Sequence, residues 1–233
     1  MPLYHKIDSV FHRDPQNNNK TFLVDQWTHP EFEYLSEFEW VWTEKIDGTN
    51  IRVIRDDQGN VSFGGRSENA QIPGRLANYL KDTFTKERLD QAFDPCFAVT
   101  LYGEGFGAGI RSGGNYDTGG EQRFILFDVS YEHEFGGTCW LERNSVEDIA
   151  SKLGIPCVPE IGSGTLYEAM AKVVTGFTSR VGSQQAEGLV VRPTIELKNR
   201  FGSRVITKIK TCDFVQNGEV KASGVPTRVL ALL

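Results

Sequence analysis

Apolar and polar residues alternate on both sides of Glu44–Asn50. Successive side chains of a strand point to opposite faces of a sheet, so this alternation is typical of a half-buried strand. The pattern predicts strands over residues 38–42 and 51–55, and a return strand over 61–63 after the turn at 56–60. Further strands are predicted at residues 97–102, 186–192 and 204–210. One more, at 124–129, is apolar on both faces, which indicates a central strand.

A spacing of three to four residues between apolar positions instead predicts helices. One amphipathic helix is predicted over 74–93, a second from Asn144 to Gly154, and a third that opens at Thr165. Residues 1–37 are polar and aromatic, and Asn17–Asn19 mark a turn or loop. Strands interleaved with helices favour an α+β fold with mainly antiparallel sheets. Without a repeat or a linker, a single domain over residues 1–233 is expected.

Composition limits the class of protein. At 39% hydrophobic residues the chain can build a core, and its net charge of −6 argues against a generally basic protein that coats nucleic acid. A local basic groove remains compatible with that charge. The four cysteines are widely spaced and form no CxxC pair, which favours a reduced, intracellular protein and argues against a zinc site. Neither a signal peptide nor a membrane span is predicted.

Lys45 is the first candidate for chemistry because it lies between two acidic residues and close to Gly48. A lysine can act as a nucleophile only as a free amine, and with an ordinary pKa of roughly 10.4 only about one molecule in 2,500 is in that form at pH 7. Neighbouring cations or a metal must therefore lower its pKa. Lys208 and Lys210 can supply those cations, because residues two apart on a strand share a face. The alternative for this pair is a solvated edge of the sheet.

Four other residues could bind a ligand, although each has an ordinary structural alternative. Glu187 could hold a divalent cation or simply end a strand, and Glu104 between glycines could accept hydrogen bonds from sugar hydroxyls. Arg66 could bind a phosphate or lie free in a loop, and Phe127 could stack on a base or fill the core. The glycine run at 103–109 matches neither the Rossmann fingerprint nor the P-loop.

In this order along the chain, the motifs resemble those of the covalent nucleotidyltransferases, the superfamily of ATP-dependent DNA and RNA ligases and mRNA capping enzymes. Lys45–Gly48 matches the KxDG signature. The other matching segments, in family order, are Arg66–Ser67, Gly103–Gly105, Leu126–Asp128, Glu187–Val191 and Lys208–Lys210. The context around Lys45 and the asparagine at position 50 look most like the phage-type, nick-sealing RNA ligases, which include the kinetoplastid RNA-editing ligases.

This resemblance implies a nucleotidyltransferase (ATP-grasp-like) fold with a nucleotide pocket between its sheets. It implies ATP as the AMP donor, Mg²⁺ or Mn²⁺ as cofactor, and Lys45 as the residue that becomes lysyl-AMP. The further roles it implies are phosphate neutralisation by Lys208 and Lys210, metal positioning by Glu187, ribose contacts from Glu104 and Arg66, adenine contacts from Glu44, Phe127 and Val190, a nucleotide contact from Ile46, and orientation of the strand ends by Asn50 and Arg66.

The implied partner is RNA with 3′-hydroxyl and 5′-phosphate ends, in a nicked or splinted duplex. The protein is expected to be a monomer, and to act in the cytoplasm, either of its own cell or, as a phage protein, of the host cell. Only 23 residues follow Lys210, so neither an OB-fold nor a helical C-terminal domain is expected. A patch of Lys198, Arg200 and Arg204 could then bind RNA phosphates, or be a solvated basic loop. Two other functions stay open: a minimal DNA ligase or capping-type guanylyltransferase, and a non-catalytic nucleotide- or RNA-binding module.

Overall fold

The computed structural model describes residues 3–19, 21–93, 98–111, 116, 118–133, 136–216, 218–221 and 224–233. Its strands are β1 (Asp8–Ser9), β2 (Phe11–Arg13), β3 (Phe22–Trp27), β4 (Trp40–Glu44), β5 (Thr49–Arg55), β6 (Val61–Gly65), β7 (Val99–Gly107), β8 (Gln122–Glu132), β9 (Thr138–Trp140), β10 (Glu160–Gly164), β11 (Gly188–Pro193), β12 (Thr207–Lys210), β13 (Val215–Gln216) and β14 (Glu219–Val220). Its helices are α1 (Pro30–Tyr34), α2 (Gly74–Thr83), α3 (Lys86–Ala92), α4 (Arg143–Leu153), α5 (Leu166–Thr175), α6 (Thr211–Phe214) and α7 (Thr227–Leu230).

These elements form two compact units. The first unit comprises residues 1–5 and 47–158, and the second comprises residues 6–46 and 159–233. Each unit has its own five-stranded sheet and its own apolar core. In the described part of the chain, no helix is long and apolar enough to cross a membrane.

The sheet of the first unit has the order β6-β5-β7-β8-β9, and all its pairs are antiparallel. Helices α2, α3 and α4 bury their apolar sides against one face of this sheet, through residues such as Leu76, Leu80, Leu89 and Leu153. The opposite face carries polar side chains along its central strands, including Asn50 and Glu104, which lie directly opposite each other on β5 and β7.

The sheet of the second unit has the order β1-β12-β11-β4-β10. Its pairs are antiparallel except for β1, which runs parallel to β12. Helix α5 buries Leu166, Met170 and Val173 in the core that also contains the inward-facing residues of β4 and β11. The predicted helix start at Thr165 is confirmed: its hydroxyl accepts from the backbone N–H of Glu168, whose carboxylate accepts in return from the N–H of Thr165.

The mixed fold with mainly antiparallel sheets is confirmed, and so are most predicted strands. The predicted helix over 74–93 is wrong in one respect, because it is two helices that are broken at Phe84 and Thr85. Phe84 is buried, and the Thr85 hydroxyl caps α3 by accepting from the backbone N–H of Arg88. The strand predicted over 97–102 extends further than predicted, because β7 continues through the following glycines to Gly107. Phe97, the first residue of the strand predicted over 97–102, and Cys96, one of the four cysteines, lie outside the described residues.

Candidate active site

Lys45 follows directly after β4 in the second unit, and its backbone position is fixed by a hydrogen bond from its N–H to the carbonyl of Gly188, at 2.9 Å. Its side chain is 22% exposed, and the ammonium Nζ lies 2.6 Å from Glu187 Oε2. The KxDG lysine is therefore neither solvated nor buried in an apolar core. It lies in a polar recess beside the first residues of β11.

The carboxylate of Glu187 is shared between two lysines. Its Oε1 lies 2.6 Å from Lys210 Nζ, while Oε2 accepts from Lys45. The three side chains are 19–28% exposed, so water screens these ion pairs less than it would on an open surface. The structure thus brings together three residues that are far apart in sequence and that the motif order had assigned to one site.

Strand register explains why these side chains meet. Gly188 is opposite Lys210, and Val190 is opposite Lys208 on β12 and Thr43 on β4. Directly opposed residues project from the same face of a sheet. The lysines and Val190 therefore share one face, whereas Leu189 and Ile209, the alternate residues, are buried in the core on the other.

Gly188 is required at its position beside Glu187. Its φ is +150°, and a Cβ there would lie 2.1 Å from the backbone carbonyl oxygen of Ile209. The absence of a side chain allows β11 and β12 to approach closely enough for Glu187 to reach Lys210. β1 pairs with the outer side of β12 at Thr207 and Lys208, so β12 is not the edge strand there. Lys210, beyond this pairing, is 28% exposed and is paired with Glu187, so the two lysines are not a solvated pair at the edge of the sheet.

The two lysines of β12 have different electrostatic environments. Burial, followed by the charges of Lys210 and Lys45, lowers the pKa of Lys208, whose ammonium donates to the carbonyl of Ile7 at 2.7 Å. Burial also acts to lower the pKa of Lys210, but its hydrogen bond and charge interaction with Glu187 outweigh burial and raise it. Lys208 is thus the cation of this cluster that has least stabilisation from a carboxylate.

Glu44 and Ile46 flank the lysine. Glu44 is 2% exposed, and its carboxylate accepts hydrogen bonds from the Ser179 hydroxyl and from the backbone N–H of Arg180. It lies opposite Leu189, on the core face of the sheet. Ile46 is 4% exposed. Glu44 therefore holds the segment at 179–180 in the second unit, and its assignment to the adenine edge stays a prediction.

Asn50 and Glu104 lie in the first unit, on the polar face of its sheet. They are opposite each other on β5 and β7, and Ile125 on β8 continues the same row. The Oδ1 atom of Asn50 is buried, and it has no hydrogen-bond partner within the described part of the chain. Buried polar atoms are usually paired, so this oxygen is a candidate for contact with a ligand.

Phe127 lies at an irregularity in the same sheet. Tyr102 pairs with Asp128 and Gly103 with Leu126, so Phe127 is the extra residue of a β-bulge. A bulge redirects a side chain relative to the strand alternation, and Phe127 is accordingly half-buried rather than part of the core. Its ring packs edge-on against Tyr4 at 5.0 Å, and the Tyr4 hydroxyl donates to Asp128 at 2.9 Å. Tyr4 was not predicted as a site residue, because no motif of the sequence includes it.

Arg66 is exposed after the end of β6, and no ion pair to it is formed by the described residues. Gly65 before it is buried, and a Cβ at Gly65 would lie 2.6 Å from Ala70. In the predicted basic patch, Lys198 and Arg200 are exposed, but Arg204 is not available to bind a phosphate. Its side chain is 3% exposed and pairs with both carboxylate oxygens of Glu196, at 2.5 and 2.7 Å.

The arrangement around Lys45 suits chemistry on a phosphate. It offers a nucleophile candidate, a carboxylate within hydrogen-bond distance of it and two further cations on one surface. No cluster of three or more His, Cys, Asp or Glu side chains able to hold a metal occurs among the described residues. Such a scaffold is compatible with the way Mg²⁺ usually binds, through one or two carboxylates together with water and substrate phosphates.

A sequence model of the RNA ligase family matches residues 38–210 of this chain. That span contains every site residue that was predicted from the sequence, whereas Tyr4 lies outside it. Among curated protein sequences, no match was found.

Solved structures of the Naegleria gruberi RNA ligase are similar in fold. A variant with ATP and Mn superposes with a TM-score of 0.61 at 16% identity, covering 90% of this chain and 56% of that one. The complex with PPi gives 0.58 at 18% identity, covering 90% and 57%. A variant without ligand gives 0.58 at 19% identity, covering 88% and 56%. The chain therefore spans little more than half the length of these solved proteins.

Proposed function

The chain belongs to the RNA ligase family, and we propose that it is an ATP-dependent RNA ligase that joins 3′-hydroxyl and 5′-phosphate ends through a lysyl-AMP intermediate on Lys45. The observation that carries this proposal is the carboxylate of Glu187, at 2.6 Å from both Lys45 and Lys210. A nucleotide-binding module without turnover has no need for a lysine held in this way. The solved relatives with ATP and Mn or with PPi support the choice of nucleotide.

In the first step, Lys45 Nζ attacks the α-phosphorus of ATP, the N–P bond forms and the bond to pyrophosphate breaks. The ammonium must lose a proton beforehand, and Glu187 Oε2 is the group within hydrogen-bond distance of it. Lys208 and Lys210 neutralise charge on the phosphates. In the second step the RNA 5′-phosphate displaces Lys45 from the AMP, and in the third the 3′-hydroxyl attacks that phosphate and expels AMP.

Residues on the first unit are assigned by the family resemblance. Glu104 and Arg66 would contact the ribose, Phe127 would stack on the adenine, and Asn50 with Arg66 would orient the strand ends. The buried Oδ1 of Asn50, which has no hydrogen-bond partner among the described residues, supports a ligand contact at that position. Val190, on the lysine face of the other sheet, would pack on the base. We propose that residues 1–233 function as one nucleotidyltransferase domain.

A divalent cation, Mg²⁺ or Mn²⁺, would be held at Glu187 together with the nucleotide phosphates, where it supplies neutralisation of the charge that develops on the leaving group. Both oxygens of Glu187 already accept from ammonium groups. A cation would therefore compete with Lys45 for the same carboxylate, and the Lys45 ammonium would lose its counter-ion.

The proposal is tested with ATP labelled at the α- or the γ-phosphate, incubated with the protein and Mg²⁺. We expect covalent label from α alone, and none with Lys45→Ala. Lys172→Ala, an exposed lysine of α5 on the core side of the same sheet, is the matched control and should label normally. An adduct that survives Lys45→Ala would remove Lys45 as the nucleophile. A GTP-derived adduct would favour a guanylyltransferase, and nucleotide binding without any adduct would favour the non-catalytic module.

A further inference from the structure

A groove of about 680 Å³ extends from Lys208 and Lys210 to the N-terminal part of the second unit. Its other basic lining residues are Lys6, His12 and Arg13, which precede β2 or belong to it. The family match begins only at residue 38. This wall of the groove is therefore formed by a segment that the family pattern does not include, although it adjoins two residues of the candidate active site.

The hairpin of β2 and β3 that carries His12 and Arg13 is firmly packed. Phe11 and Phe22 are buried in the core of the unit. Phe11 packs on Trp27 with ring centres 4.8 Å apart, and Phe22 packs on Phe214 at 5.5 Å. The basic side chains at 12 and 13 are consequently presented from a fixed backbone, which limits the entropy lost when they bind a ligand.

The charges of the groove leave it suited to an anion. Its two carboxylates are already paired: Asp8 with Lys6 at 3.3 Å and with His29 at 3.1 Å, and Asp213 with Arg13 at 2.7 Å. Lys208 forms no salt bridge to a carboxylate among the described residues. Burial and the charges of Lys210 and Lys45 lower its pKa, and the charge of nearby Asp8 offsets this only in part. An anion that entered beside Lys208 would relieve this repulsion.

The order of the strands indicates which anion this is. Lys45 follows β4, and the next strands across the sheet are β11, β12 with Lys208, and β1 with Ser9. Neighbouring strands are about 4.8 Å apart. When an amine displaces a leaving group in line at phosphorus, the two lie on opposite sides of that phosphorus. If the α-phosphorus is held between Lys45 and Lys208, a nucleotide attacked from Lys45 directs its β- and γ-phosphates across Lys208 towards the groove.

We propose that this groove binds the pyrophosphate portion of ATP, and that His12, Arg13 and Lys6 are positioning residues for it. The proposal rests on the function proposed above, since it names the place of the leaving group in that reaction. In the reverse direction, a pyrophosphate oxygen attacks the α-phosphorus of lysyl-AMP, the N–P bond breaks, ATP forms and Lys45 regains its proton. A groove that binds pyrophosphate must support this reversal, whereas one that holds an RNA strand need not.

The test uses protein that has been adenylylated with ATP and freed of nucleotide, to which pyrophosphate is added in increasing amounts. Lys6→Gln and His12→Gln change exposed side chains and should leave the fold intact, and Arg13→Lys keeps the charge opposite Asp213. Lys172→Gln is the control for loss of a positive charge. We expect the double variant Lys6→Gln with His12→Gln to require at least about tenfold more pyrophosphate for half-maximal release of ATP, which corresponds to about 1.4 kcal/mol.

Sealing of a pre-adenylylated RNA, which requires no pyrophosphate, should change less than twofold in the same variants. The opposite pattern, with unchanged pyrophosphate dependence and impaired sealing, would overturn the inference and assign the groove to RNA. Unchanged behaviour in both assays would also overturn it. If the unsubstituted protein forms no adduct with ATP, the proposed function itself fails, and the two failures are therefore distinguishable.

Discussion

Glu187→Gln is the most informative single change in this protein, because one carboxylate serves two lysines. The substitution keeps the size of the side chain and removes its charge. Both ammonium groups, at 2.6 Å from the carboxylate oxygens, would then face a neutral amide and each other. We expect loss of the lysyl-AMP adduct and also a loss of folding stability.

The size of the stability loss follows from the geometry. Two unit charges 2.6 Å apart interact by about 1.6 kcal/mol in water and by about 6 kcal/mol at the effective dielectric constant of 20 that suits protein sites. Desolvation of the partners and repulsion between the lysines offset much of this attraction. Hydrogen bonds to charged groups contribute about 1.5–3 kcal/mol net. We therefore expect Glu187→Gln to cost about 2 kcal/mol.

Lys45→Met should cost less, about 1 kcal/mol or below, because Glu187 then remains paired with Lys210. The stability losses of Glu187→Gln and Lys45→Met, added together, should exceed the loss in the double variant by about 1 kcal/mol. This difference is the coupling energy expected for two residues in direct contact. Unfolding in urea can be followed by tryptophan fluorescence, since Trp27, Trp40 and Trp42 all lie in the second unit. Glu33→Gln, at an exposed position of α1, is the control and should change stability by no more than about 0.5 kcal/mol. Equal costs for Glu187→Gln and Glu33→Gln would refute the shared ion pair.

Three further outcomes follow from the same structure. Burial, followed by the charges of Lys210 and Lys45, lowers the pKa of Lys208 in the folded protein. Between that lowered pKa and about 10.4, the unfolded chain therefore binds more protons than the folded chain, and the free energy of unfolding should rise with pH. Lys208→Met, compared by urea unfolding at several pH values, should lack this rise. Gly188→Ala should destabilise the protein by about 1–3 kcal/mol through its φ of +150° and its clash with Ile209, while Gly74→Ala, where a Cβ meets nothing within 4 Å, should not; equal melting temperatures would contradict this. Arg66→Ala should leave folding unchanged, because Arg66 is exposed, but should lower RNA sealing about tenfold or more in a gel assay, which corresponds to about 1.4 kcal/mol; full sealing activity would remove Arg66 from the site.

Much of the fold could be predicted from local signals. The strands around Lys45 follow from the local alternation of apolar and polar residues, and the capping box at Thr165 follows from two reciprocal hydrogen bonds within four residues. The break between α2 and α3 was missed because Phe84 continues the helical spacing of apolar residues, whereas the Thr85 cap depends on a competing local interaction.

The N-terminal hairpin was missed for a different reason. β2 has three residues and pairs with β3 through a register shift, and Asp25 within β3 has a φ of +62°. These irregularities remove the alternation by which a strand is predicted. The aromatic residues at 11, 22 and 27 were visible in the sequence, but only tertiary packing turns them into a core.

The candidate site illustrates how register decides between alternatives that sequence leaves open. Taken singly, Glu187 could end a strand and Lys208 and Lys210 could be solvated, because period two fixes only which residues share a face of one strand. Pairing of β11 with both β4 and β12 adds the missing relation, since it sets Gly188 beside Lys210 and beside the backbone of Lys45. Glu187 is 142 residues from Lys45, so no local pattern could report their contact. A shift of one residue in either pairing would move the lysines to the core face, where Leu189 and Ile209 now lie. The same two registers that bury the core of the second unit therefore also place its cations around one carboxylate.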